Sequence, residues 1–144
     1  MTGVCYCNDC QAGGRLLEAL PGSARCLDDD GGSSILTYRD DRFRCVAGQE
    51  HLRGYKLKET SPTQRFTATC CNSPMYLKFK WGHWVSTYRG RFDDADLPPI
   101  EMRTNVRCRR SDVPIPEDAP SFQRFPLWLF GKLISSRVAM ALGR

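Results

Sequence analysis

The segment Cys5-Tyr6-Cys7-Asn8-Asp9-Cys10 places three of the chain's eight cysteines within six residues. In an extended stretch, side chains two apart project to the same side, so Cys5 and Cys7 can face one ion. Asn8-Asp9 favours a turn that swings Cys10 back toward them. Zinc takes four tetrahedral ligands, with thiolate sulfur at about 2.3 Å. Three come from this segment. The fourth is a distant residue, which closes a structural site, or water or substrate, which leaves an open one. Cys70-Cys71 is the natural distant donor. Neighbours in a strand point to opposite faces, so one of the two binds or flanks the metal and the other packs or stays free. A redox dithiol and chance packing are the competing readings of the same thiols, and an iron–sulfur cluster is a weaker one because it usually wants four cysteines.

Cys26, Cys45 and Cys108 are spaced like ordinary buried cysteines. His83, between Gly82 and Trp84, is an acid or base candidate near neutral pH, although a histidine so placed is more commonly a strand residue with a satisfied ring. The formal charge of +5 falls in the second half, where Arg103, Arg107, Arg109 and Arg110 are densest. By composition, Arg103 and Arg107 are candidates to hold an anionic substrate beside a metal site that carries net negative charge. No helix-turn-helix or RNA-binding aromatic motif accompanies these arginines, so nucleic acid is not an expected partner.

The 144 residues, 41% hydrophobic and 26% charged, describe one globular domain rather than a disordered chain. No apolar run approaches the roughly 20 residues of a membrane span. The start has no basic or apolar leader region, so a reducing, cytoplasmic setting is expected, where clustered cysteines bind metal or do chemistry.

The elements that must position the thiols are mainly β. Strands are expected at Ile35–Arg39, Phe43–Val46, Leu52–Leu57, Gln64–Thr69, Met75–Trp81 and His83–Tyr88, an antiparallel meander. A short helix is expected over Gln11–Leu20, stopped by Pro21-Gly22. Residues 93–120, with five prolines, read as an irregular wrapping segment. Pro126 and Gly143 bracket a C-terminal helix whose stripe, Leu127, Phe130, Ile134, Val138 and Ala141, is expected to pack on the sheet; a partner helix or a membrane surface is the other reading. The expected organisation is a zinc-binding domain over 1–120 with the helix of 121–144 packed on it.

Gly3-Val4-Cys5-Tyr6-Cys7-Asn8-Asp9-Cys10-Gln11 resembles the second cysteine motif of the glutathione-dependent formaldehyde-activating enzyme family, which includes the centromere protein V domain. Arg65-Phe66 and Cys70-Cys71-Asn72-Ser73-Pro74-Met75 resemble that family's later Phe-Cys-x-x-Cys-Gly-Thr-Pro-Leu stretch. The resemblance spans roughly residues 3–90. It implies an Mss4-like β-tent of small antiparallel sheets, a zinc on Cys5, Cys7 and Cys10, and carbon–sulfur lyase chemistry on a glutathione–formaldehyde adduct. Cys71 matches the second cysteine of the later pair. Ala68 stands where the first would be, and the family's earlier C-x-C has no counterpart, so its structural zinc is expected to be missing. Cys71 is then expected to share or approach the remaining zinc. That would close the site and favour the alternative function, a non-catalytic zinc-stabilised interaction module.

Overall fold

The computed structural model describes residues 1–93, 95 and 97–144. Seven strands form one sheet: β1 (Thr2–Cys5), β2 (Ser33–Arg39), β3 (Leu52–Tyr55), β4 (Thr63–Ala68), β5 (Pro74–Phe79), β6 (Trp84–Tyr88) and β7 (Arg103–Thr104). Their order is β3-β4-β5-β6-β2-β1-β7. Neighbours are antiparallel except β1 and β7, which run parallel. Two α-helices, α1 (Asn8–Glu18) and α2 (Leu127–Ala141), and several single-turn 3-10 helices accompany the sheet. The fold is mainly β, as expected, but the strands make one continuous mixed sheet rather than several small antiparallel ones.

The meander from β3 to β6 follows the alternation in the sequence. Phe43–Val46 does not form the expected strand. A single-turn 3-10 helix, Asp40–Arg42, ends β2, and the Phe43 ring then packs edge-on against Tyr76 at 5.1 Å. That ring contact holds the segment in place of a ladder, and Val46 is left 83% exposed. The wrapping segment contributes β7, two residues too short to show alternation. Val4 N–H donates to Met102 O at 2.9 Å and Tyr6 N–H to Thr104 O at 3.0 Å, which stitches the cysteine segment to the far end of the chain.

The apolar core centres on Leu17, Cys26 and Tyr88, with Leu20, Ile35, Tyr55 and Leu77 against it. Burial, helped by nearby Glu18, pushes the Cys26 thiol up to about 12 from its ordinary 9.0. The folded chain therefore holds this proton more tightly than the unfolded chain does. The resulting stabilisation is whole below about pH 9 and is lost as pH rises toward about 12. The urea midpoint should accordingly fall between about pH 8 and about pH 10.5, and fall less steeply in Cys26→Ala. A flat parental profile would contradict this.

The C-terminal helix forms with the expected bounds, and Gly143 terminates it at φ 67°. Its orientation is the reverse of the expected one. Leu129 is buried, Leu133, Ser136 and Met140 are partly buried, and Lys132 Nζ donates to Glu101 Oε2 at 3.0 Å. The stripe expected to be packed faces outward instead, with Leu127 87% and Ile134 65% exposed. Both sides of this helix are largely apolar, so periodicity alone does not select the docked one. The chain immediately before it decides. Phe122 N–H donates to Arg103 O at 2.8 Å and Arg103 N–H to Pro120 O at 2.9 Å, so residues 120–122 are tied to β7 and set the angle at which α2 leaves.

Candidate metal centre

Cys5 ends β1, Cys7 caps α1, and Cys10 lies in the first turn of α1. The turn expected at Asn8-Asp9 is that first helical turn, so the helix begins three residues earlier than its leucine spacing suggests. Cys7 adopts the extended cap conformation, φ −62° and ψ 156°, and its sulfur accepts the Cys10 N–H at 3.4 Å. A thiol thus does the work of the usual Ser or Asp cap. The three sulfurs lie within 4.8 Å of one another. Zinc–sulfur bonds of about 2.3 Å in a tetrahedron need sulfurs about 3.8 Å apart, so a small inward movement closes the set.

The protonation of the trio is uneven. Hydrogen bonds from Cys10 and Cys7 hold the Cys5 thiol well below its ordinary range in spite of burial. Cys10, the donor to Cys5, is pushed well above that range. Asn105 Nδ2 donates to Cys5 Sγ at 3.7 Å from a left-handed backbone position, φ 58°. Gln11 Nε2 donates to Tyr6 O at 2.5 Å and to Cys108 O at 2.8 Å, fixing the peptide between the two β1-side cysteines. The Tyr6 hydroxyl donates to Asp30 Oδ2 at 2.6 Å and accepts from Arg103 Nη1 at 2.9 Å.

A buried cation supplies an independent sign of what this site carries. Arg65 on β4 is 2% exposed. Its Nη2 donates to Asp9 O at 2.7 Å, one residue before Cys10, and its buried Nη1 has no hydrogen-bond partner among the described residues. None of the ion pairs among the described residues includes Arg65. A buried guanidinium without a carboxylate is costly, and the helix N-terminus beside it also favours an anion. Three thiolates and one divalent ion sum to a single negative charge, which answers both. Gly13 makes room for this arrangement: a Cβ there would stand 2.1 Å from Arg65 Nε. The residues present therefore fit a thiolate-bound divalent metal.

The other expected site residues lie elsewhere. Cys71 is exposed on the turn between β4 and β5 and does not join the trio. Asn72 Nδ2 donates to Pro21 O at 2.9 Å and Ser23 Oγ donates to Asn72 O at 3.0 Å, which ties that turn beyond the C-terminus of α1. The trio is at the N-terminus of α1, roughly 15 Å away along an 11-residue helix. His83 precedes Trp84, which pairs with Arg39 at one end of β2, whereas Cys5 pairs with Ser33 at the other. Six residues of strand separate them by about 20 Å, so His83 does not serve the trio. Arg103 is 4% exposed and committed to Tyr6, Asp30 and Asp118, so it is a structural lock and not a free substrate-holding group. Arg107 is exposed.

Arg65, Asn105, Gln11 and Asp30 are the site residues that sequence reasoning missed. Gln11 directly follows Cys10, but nothing in that adjacency signals its bonds to Tyr6 O and Cys108 O; Arg65, Asn105 and Asp30 have no spacing relation to the cysteines, and the fold brings them in from up to 100 residues away. Cys70 and Cys71 form a second thiol pair, with Cys70 Sγ 3.7 Å from Cys71 Sγ and the Cys71 thiol lowered by the Ser73 hydroxyl 3.1 Å away. Iodoacetamide near neutral pH should label this exposed pair at least about tenfold faster than buried Cys26, as peptide mass spectrometry would read. Equal rates would contradict the placement.

No curated protein matches the chain. One family profile does, and it runs over residues 1–135, which takes in the thiol trio, the whole sheet and more than half of α2. The chain belongs to the Family of unknown function (DUF6151).

Proposed function

We propose that the chain binds one zinc ion on Cys5, Cys7 and Cys10 and that the fourth position takes a small thiol of the glutathione class. The reaction this suits is making or breaking the carbon–sulfur bond of a thiol–aldehyde adduct. One observation carries the reading: three sulfurs converge, and no fourth Cys, His, Asp or Glu among the described residues joins them. Cys7 and Cys10 are partly exposed and Asn8 and Asp9 between them are exposed, which supports a fourth position on that side. Zinc supplies a Lewis acid that favours a thiolate near neutral pH. Cys5, buried and hydrogen-bonded by Asn105, anchors the set. Cys7 and Cys10 hold the rim of the site on a helix N-terminus that favours negative charge. Arg65, bonded to the Asp9 carbonyl one residue before Cys10, supplies a nearby counter-charge.

The second reading is a non-catalytic module in which zinc staples β1 to α1. The position of Cys7 as helix cap favours it, because metal there ties two elements together. Zinc X-ray absorption on the purified chain, with and without glutathione, separates the two. The thiol reading expects three sulfurs and one lighter atom, becoming four sulfurs on addition of glutathione, with thiol-dependent consumption of formaldehyde. An unchanged spectrum and no consumption would leave the staple.

A further inference from the structure

Seven of the thirteen exposed large hydrophobic residues among the described residues lie in or beside α2. At 3.6 residues per turn, Leu127, Phe130, Ile134, Val138 and Leu142 lie opposite the docked Leu129, Leu133, Ser136 and Met140. Their exposures are 87%, 49%, 65%, 52% and 63%. Phe125 and Trp128 are 45% and 46% exposed at the start of the helix. A contiguous bare face of this kind marks a binding surface rather than ordinary surface leucines.

The charge around the face decides what covers it. Residues 121–144 contain Arg124, Lys132, Arg137 and Arg144 and no Asp or Glu. Arg137 borders the bare face on the helix, while Arg124 and Arg144 flank its two ends. Two copies packed face to face through a two-fold axis would bring these like charges together, which disfavours self-association. An anionic lipid surface pairs with them while its acyl boundary accepts the apolar side chains. The helix has 15 residues, and no helix among the described residues is long and apolar enough to cross a membrane. On a membrane such a helix would lie in the interface rather than span it.

We propose that α2 is an interfacial anchor that lays its outward face on anionic membranes, with Arg124, Arg137 and Arg144 on the headgroups. The inference is independent of the chemistry at the thiol trio. The test is vesicle flotation of the full chain with phosphatidylcholine alone and with phosphatidylserine added. The chain should float with the anionic vesicles and bind the neutral ones at least about tenfold more weakly. The variant Ile134→Glu/Val138→Glu changes only exposed positions. It should stay in the soluble fraction while keeping its circular dichroism spectrum. Arg137→Glu, a charge reversal at an exposed position, should weaken binding several-fold, which supplies a second readout if the double variant misfolds. Absence of flotation with anionic vesicles would overturn the proposal, and so would equal binding of both variants. A concentration-dependent dimer that Ile134→Glu/Val138→Glu abolishes, without vesicle binding, would assign the face to a second copy and also overturn it.

Discussion

Cys7→Ser should lose metal almost completely, with affinity down by more than about 100-fold, beyond the 10–100-fold that outer hydrogen-bond partners contribute. Cys7 does two things at once. Its sulfur is one of three that converge, and it caps α1 by accepting the Cys10 N–H. Serine preserves the cap, so the variant isolates the ligand role. Apparent binding energies of structural zinc reach roughly 10–16 kcal/mol, comparable to the 5–15 kcal/mol stability of a whole domain. A chelator should therefore shift the thermal midpoint of the parent strongly and that of Cys7→Ser hardly at all. Asn105→Gly, which keeps the left-handed backbone but removes the donor to Cys5, should cost about tenfold in metal affinity. Elemental analysis and competition with a chromophoric chelator measure both. Metal-free parent protein with the same melting behaviour as Cys7→Ser would remove the metal centre from the account.

Arg103→Met should destabilise the fold by about 3–5 kcal/mol, the cost of removing one partner from a buried ionic group. Arg103 reaches Asp118 at 2.8 Å, the Tyr6 hydroxyl at 2.9 Å and Asp30 at 3.6 Å. Asp30 is 5% exposed, so the variant strands a buried carboxylate. Asp118 is largely exposed, and Asp118→Asn should cost little by comparison. The lock also holds Tyr6, which sits between Cys5 and Cys7, so Arg103→Met should weaken metal binding even where the chain remains folded. Denaturant titrations of both variants, read with their metal content, test the ranking. If Arg103→Met unfolds at the parental midpoint, the buried network is not what holds the cysteine segment in place.

The thiol trio was legible because its geometry is local. Residues two and five apart on one short segment meet whenever a strand end is followed by a helical turn, and the residue types announce both. The meander was legible for the same reason, since alternation is a property of neighbours. The partners of the trio were not legible. Arg65 and Asn105 reach it only because β4 passes beneath α1 and β7 pairs in parallel with β1, across separations that leave no periodic trace. Cys71 shows the converse. Its motif read as a metal turn, but the sheet ties that turn to Pro21 and Ser23, a helix length from the trio.

What the sequence determined alone was the class of elements, the clustering of three cysteines on one short segment and the presence of an apolar C-terminal helix. Tertiary structure alone decided which face of that helix is buried, where Cys71, His83 and Arg103 stand, and that a buried Arg65 lies against the first turn of α1. The physical reason is one and the same. Local propensity and spacing act over a few residues, whereas burial and charge compensation depend on which distant segments the sheet places side by side.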